Sequence, residues 1–270
     1  MICGLAGRVA GPEIAVAPVA NTGLPALPRL DRRGYARGMS FWPNREHWSV
    51  AIPRRTDHYL CPSLEETGFA MLTPFDGEIP AHEWESLEYM DWKSGGDTNF
   101  APLASADGQL DCRGFWDKGK TDKDALWTSN ADKAPTLKAY VDSIGANFGR
   151  VRIIKLEPQD HETAIRSFHR DDNNRFNPEG TGWVVRTWVE LTDSPDSYML
   201  LMDLDDDNLP VRETERRVPL ARGARFIVDT QRLWHVVVHN ATTPRYALIT
   251  SVESTPHLQR WIESQTPALV

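Results

Sequence analysis

The chain has 270 residues, 40% of them hydrophobic, with three cysteines, a formal net charge of −8 and a pI near 5.5. That length and apolar content suffice for a full core in one domain with additions, whereas the acidic balance argues against non-specific nucleic-acid binding, which needs a basic face. No apolar run is long enough to span a membrane, and Cys3, Cys61 and Cys112, odd in number and far apart, fit a reducing cytoplasm better than a disulfide framework.

Residues 1–38 are rich in Ala, Gly and Pro, with Pro12, Pro18, Pro25 and Pro28 interrupting any helix, so a flexible N-terminal arm is expected. The arm lacks the basic start and continuous apolar stretch of a signal peptide, which points to a cytoplasmic protein. Residues 39–145 read as an N-terminal elaboration that packs on a core formed by 146–270, with 39–270 as one domain. The elaboration carries Trp42, Trp48, Trp84, Trp92, Trp116 and Trp127, expected to pad the outside of the core rather than to line a cleft. Leu137, Tyr140, Val141 and Ile144 recur at helical spacing and predict a helix over 135–146 packed on that core.

Beyond residue 146 the pattern turns to short strands. Val151–Leu156 alternates apolar and polar residues and stops at Pro158, and Thr163-Ala164-Ile165 reads as a second strand returning toward His169. The β-rich runs Val184–Leu191 and Tyr198–Met202, divided by Asp193-Ser194-Pro195-Asp196-Ser197, read as a hairpin. Arg217–Leu220, Phe226–Asp229, His235–Asn240 and Arg245–Val252 follow, with turn residues between them. Such a series predicts a mainly β protein with a closed or sandwiched antiparallel sheet rather than βαβ units. Asp203-Leu204-Asp205-Asp206-Asp207 lacks the glycine and distal glutamate of a calcium loop and is expected to be a solvated turn. The Gly- and Pro-containing stretch from Asn173 to Trp183 is a loop, fit for a lid or a plain connector.

The chemistry concentrates in Phe168-His169-Arg170-Asp171 and His235. Residues i and i+2 of an extended segment project from one face, so His169 and Asp171 can offer an imidazole nitrogen and a carboxylate oxygen to one ion. With His235 from a distant strand the set becomes two imidazoles and one carboxylate, the arrangement expected of non-haem Fe(II) that activates oxygen. The bland reading is a solvated loop, since Arg170 to Arg175 are all polar. His239 is a rival on the face of His235, with a supporting or surface role the alternative. Arg245, ten residues after His235, is a fixed planar cation suited to an acidic cosubstrate, or an ordinary sheet-surface arginine. Asp229 either orients a neighbouring loop or ends a strand.

In order and spacing, the stretch from Gly149 to Val252 resembles the double-stranded β-helix (jelly-roll, cupin-like) core of Fe(II)/2-oxoglutarate-dependent oxygenases, most closely the aspartyl/asparaginyl β-hydroxylase group. The matching pieces are the strand ending in Leu156-Glu157-Pro158, the ligands in His169-Arg170-Asp171, the strand Arg186-Thr187-Trp188-Val189-Glu190-Leu191, Gly223 to Asp229, His235-Val236-Val237 and Arg245 with its apolar strand. Trp188 stands where several members have a histidine. The resemblance implies Fe(II) bound by His169, Asp171 and His235, and 2-oxoglutarate as cosubstrate with its far carboxylate on Arg245. It assigns Arg186 to the cosubstrate's inner carboxylate or to a carboxylate of the substrate. Ascorbate is then a supportive additive in vitro, and the substrate is an amino-acid-like small molecule or a peptidyl residue. Retention of Asp171 favours hydroxylation over halogenation. A non-oxidative cupin-like metal-binding protein or isomerase is the alternative, and no pattern in the chain specifies an oligomeric state.

Overall fold

A computed structural model describes residues 59–91, 98–177 and 182–266. The predicted arm, together with Cys3, Trp42, Trp48 and Trp92, lies outside the described residues. In chain order the strands are β1 (Phe69–Leu72), β2 (Met90–Asp91), β3 (Thr98–Ser105), β4 (Leu126–Trp127), β5 (Phe148–Leu156), β6 (Val184–Glu190), β7 (Ser197–Leu204), β8 (Pro210–Pro219), β9 (Arg225–Val228), β10 (Trp234–His239) and β11 (Arg245–Glu253). The helices are α1 (His82–Glu85), α2 (Pro135–Ser143), α3 (His161–Ile165) and α4 (Pro256–Gln265).

Among the described residues every strand pairing is antiparallel. The large sheet runs β1-β9-β6-β11-β5-β3-β2 with β4 on β3, and the small sheet runs β10-β7-β8. From β6 the chain crosses to the small sheet for β7 and β8, returns to the large sheet for β9, crosses again for β10 and returns for β11, which is the winding of a jelly roll and bears out the predicted fold class. The sheet-to-sheet core contains Trp188, Met199, Leu201, Val218, Phe226, Val228, Ala247 and Ile249. These come from both sheets, as period-two alternation requires of two inner faces.

The outer face of the large sheet is covered as well. Val151 and Ile153 of β5, Val185 and Val189 of β6 and Leu248 and Val252 of β11 pack with Leu137, Tyr140 and Val141 of α2 and with Leu258, Trp261 and Ile262 of α4. At about 1.5–3 kcal/mol for each large apolar side chain fully buried, this second core stabilises the outer face of the sheet. It explains why β6 is buried at every position. The expected helix over 135–146 is present as α2, with Pro135 at its start and its first amides, Thr136 and Leu137, donating to the buried carboxylate of Glu83.

Two local expectations are corrected. Thr163-Ala164-Ile165 belongs to α3, because Asp160 accepts from the Thr163 amide at 2.7 Å and caps a helical turn. Val184–Leu191 and Tyr198–Met202 form no hairpin: β6 lies in the large sheet and β7 in the small one. The hairpin is instead β7 with β8, closed by the acidic turn in which Asp205 Oδ1 accepts from the amides of Asp207 and Leu209. The sequence reading found only the last residues of β8. Its body, Arg212-Glu213-Thr214-Glu215-Arg216-Arg217, is polar because an edge strand with little cover has no apolar face to bury.

Candidate metal centre

His169 sits at a single antiparallel bridge to His235. The His169 amide donates to the His235 carbonyl at 3.1 Å and the His235 amide returns a bond to His169 at 2.8 Å. Two residues on, the Asp171 amide donates to the Thr230 carbonyl at 2.8 Å, so the extended segment is clipped beside β10 at both candidate ligands. One ligand atom from each of His169, Asp171 and His235 lies within 4.8 Å of the other two. The two rings are 4.4 Å apart between centroids, and His169 Nε2 is 3.9 Å from Asp171 Oδ1.

Both imidazoles are oriented by the backbone. His169 Nδ1 lies 2.6 Å from the Ser167 carbonyl and His235 Nδ1 lies 3.3 Å from the Leu233 carbonyl. A carbonyl only accepts, so each Nδ1 carries the proton and each Nε2 presents a lone pair. Burial, helped by the nearby His169 ring, pushes His235 down to about 3 and keeps it neutral. Burial alone would raise the Asp171 carboxyl, but Arg186, followed by His235 and His169, holds it well below the usual carboxylate range. Asp171 and His235 are therefore held in the forms that bind metal, and the backbone turns the Nε2 of both imidazoles toward the Asp171 carboxylate. Two imidazoles and one carboxylate suit a first-row divalent ion such as iron, and the donor set fits that group.

Arg186 is at the site but is engaged by the protein. Its Nε donates to Asp171 Oδ2 at 3.0 Å, its Nη1 to Ser251 Oγ at 2.9 Å and its Nη2 to Asn173 Oδ1. Behind it lies Asp122, which the sequence reading missed. The Asp122 carboxylate accepts from Arg150 N at 2.8 Å, Arg150 Nε at 3.2 Å, Arg150 Nη2 at 3.0 Å and Ser251 Oγ at 2.9 Å. Burial opposes the charge on Asp122, but Arg150 and then Arg186 outweigh it and leave the carboxyl below its ordinary value. Arg152, over the Phe100 ring at 4.2 Å, is drawn down to about 9 by burial and then by Arg150 and Arg186. A signal for these residues existed in charges at alternate positions of otherwise apolar strands, Arg150 and Arg152 on β5 and Arg186 and Glu190 on β6. Asp122 had none.

Arg245 is fully buried and ion-paired through Nη2 with Oε1 of the equally buried Glu190. His239 is not part of the metal-ligand group; its ring is buried, with Nδ1 at 2.8 Å from Ser197 Oγ and Nε2 at 2.7 Å from the Thr243 carbonyl. Asp229 orients the turn before β10. It accepts from Trp183 Nε1 at 2.8 Å, from the amides of Gln231 and Arg232 at 3.0 Å, and from the Tyr59 hydroxyl, and so holds Thr230 where it grips Asp171. Trp188 stacks on Phe226 at 5.6 Å in the inner core. The start of the loop after the ligands is pinned, since Asn174 accepts from the Val184 amide at 2.7 Å and Asn177 donates to the Gly182 carbonyl at 3.0 Å; residues 178–181 lie outside the described residues.

Fold and site together define a class: jelly-roll proteins that bring two imidazoles and one carboxylate together between two antiparallel sheets. No protein-family model matches the chain, and no curated protein matches it. Solved structures similar to it include a 2OG-Fe(II) oxygenase-family oxidoreductase from Burkholderia pseudomallei, with 12% identity, a TM-score of 0.43 and coverage of 78% of this chain and 96% of that one. Another is a prolyl hydroxylase in complex with a hypoxia-inducible-factor peptide from Trichoplax adhaerens, with 13% identity, a TM-score of 0.45 and coverage of 76% and 92%. A third is HygX from Streptomyces hygroscopicus with nickel and 2-oxoglutarate bound, with 13% identity, a TM-score of 0.40 and coverage of 72% and 85%.

Proposed function

We propose that the chain is a cytoplasmic Fe(II)- and 2-oxoglutarate-dependent dioxygenase that hydroxylates an unactivated C–H bond of an amino-acid-like small molecule or a peptidyl residue. The observation that carries this reading is the convergence of His169, Asp171 and His235 within 4.8 Å, with both Nδ1 atoms engaged by backbone carbonyls and the Nε2 atoms left to bind. With His169, Asp171 and His235 holding iron, dioxygen would be the oxidant and 2-oxoglutarate the two-electron co-reductant, giving succinate and carbon dioxide beside the hydroxylated product.

The protein's own part is positioning. His169 and His235 would hold the iron through their Nε2 atoms, and Asp171 would do so through Oδ1, since Oδ2 already accepts from Arg186. Arg245, with Nε and Nη1 lacking a hydrogen-bond partner, is the arginine of the large sheet that we assign to the cosubstrate's far carboxylate. With its donors on Asp171, Ser251 and Asn173, Arg186 serves to position Asp171. Residues 146–270 form the catalytic core of this reading, and in motif order they resemble the aspartyl/asparaginyl β-hydroxylase group.

One observation favours the second reading, a non-oxidative cupin-like metal-binding protein or isomerase: Arg245 already has a carboxylate partner in Glu190. The two are separated by succinate formation from 2-oxoglutarate by purified protein with Fe(II), ascorbate and oxygen, with a panel of amino acids and dipeptides as prime substrates. The oxygenase reading expects succinate that His169→Ala abolishes and Arg245→Gln lowers at least tenfold. Metal binding with no succinate and no 2-oxoglutarate binding refutes it.

A further inference from the structure

The Arg245–Glu190 pair is incomplete in a way that buried pairs seldom are. Both side chains are inaccessible to solvent, yet only Nη2 of the guanidinium and Oε1 of the carboxylate meet. Nε and Nη1 of Arg245 and Oε2 of Glu190 are buried without a hydrogen-bond partner. Buried polar atoms left bare are costly, and a guanidinium has five donors to satisfy. The unused donors of Arg245 fit the carboxylate of a ligand. The bare Oε2 does not, because two carboxylates sharing one buried arginine would leave an uncompensated negative charge.

Among the described residues, Arg245 is the one cation that acts on Glu190. On β11 the facing group is Arg245 itself. At the end of β10, His239 lies within electrostatic reach of Arg245 but is held neutral by burial, its Nε2 bonded to the Thr243 carbonyl. On β9, Arg225 is turned to the other face, where its Nε donates to the Thr73 carbonyl at 2.7 Å. On β5, Leu156 stands opposite Arg245, and the neighbouring Glu157 would add negative charge. Along β6, Arg186 is four residues away and committed to Asp171, Asn173 and Ser251. A proton is the remaining means of balance, and it would turn Oε2 from a bare acceptor into a donor aimed at the ligand.

We infer that Glu190 is part of the binding site for the cosubstrate's far carboxylate and binds it as a carboxylic acid, Arg245 supplying the cation and Glu190 a hydroxyl donor, with one proton taken up from solvent for each molecule bound. This rests on the reading of Arg245 given under Proposed function. The only covalent change is addition of that proton to the Glu190 carboxylate. Burial, against the opposing pull of Arg245 and of the Trp188 indole N–H near the carboxylate, already lifts the Glu190 carboxyl to about 7, so near neutral pH the proton costs little.

Calorimetry of 2-oxoglutarate binding to the Mn(II)-loaded protein, without turnover, tests this in buffers of different ionisation enthalpy. A parallel titration uses the analogue in which the far carboxylate is an amide. At pH 8 the expected result is about one more proton taken up with 2-oxoglutarate than with the amide. Above pH 7 the affinity for 2-oxoglutarate should weaken, approaching tenfold per pH unit. In Glu190→Gln, whose amide is a permanent donor, the proton uptake should vanish and the pH dependence with it. Equal proton uptake for the two ligands in the wild type, a measurement that needs no variant, overturns the inference. Failure of 2-oxoglutarate to bind at all while Mn(II) binds normally overturns the reading of Arg245 itself, and the inference with it.

Discussion

Replacement of Asp122 by asparagine should weaken both the fold and the metal centre, although Asp122 is not itself a ligand. Its carboxylate, 3% exposed, is the shared counter-ion of Arg150 at 3.0 Å and Arg186 at 3.8 Å. Asparagine keeps the shape but removes the charge and turns an amide group toward donors that need an acceptor. Removing one member of a buried charge set costs about 3–5 kcal/mol. That agrees with the loss of about two hydrogen bonds to a charged group at about 1.5–3 kcal/mol each. For a fold of this size a loss of about 3–5 kcal/mol lowers Tm by roughly 6–20 °C, readable by circular dichroism on the metal-free protein. Release of Arg186 should also loosen Asp171 and weaken Mn(II) binding by roughly tenfold or more, the scale of groups that orient metal ligands. Because the arginines depress the Asp122 carboxyl, its stabilisation is complete above the unfolded value and is lost as pH falls through the lower folded one. The gap between wild type and variant should therefore narrow in acid. A Tm within about 3 °C of wild type together with unchanged Mn(II) affinity would show that the network neither carries stability nor positions Asp171.

Two further predictions concern the same region. His235 is held down to about 3 by burial and by His169, so the native state binds fewer protons than the unfolded chain between that value and about 6.5; stability of the metal-free protein should fall with falling pH over that range by up to about 1.4 kcal/mol per unit, and less steeply in His235→Gln, as urea unfolding would show. Gly149 sits where an added Cβ would lie 2.1 Å from the Asp122 carbonyl oxygen and 2.2 Å from its Oδ1. Gly149→Ala should thus destabilise the protein by several kcal/mol and lower metal affinity, and in combination with Asp122→Asn the losses should be clearly less than additive.

The primary structure alone determined the parts of this protein that depend on local periodicity and chemical type. Strand alternation specified an antiparallel β fold, helical spacing of Leu137, Tyr140 and Val141 located α2, and the His-x-Asp spacing with His235 named the groups that converge. These are legible because side-chain direction along a strand or helix follows from backbone geometry within a few residues. What only the tertiary structure decided is which distant groups meet. It sent β6 and β7 to different sheets, since turn residues do not reveal whether a chain folds back on itself or crosses a core. The helical turn at Thr163-Ala164-Ile165 is different: its cause is local, the Asp160 side chain capping the Thr163 amide, and the strand expectation passed over that signal. The partners of the buried charges were hidden. Asp122 and Arg150 are 28 residues apart, and Glu190 and Arg245 are 55 apart. Their pairing depends on sheet register and desolvation, because a charge excluded from water must find its counter-ion wherever the fold has brought one.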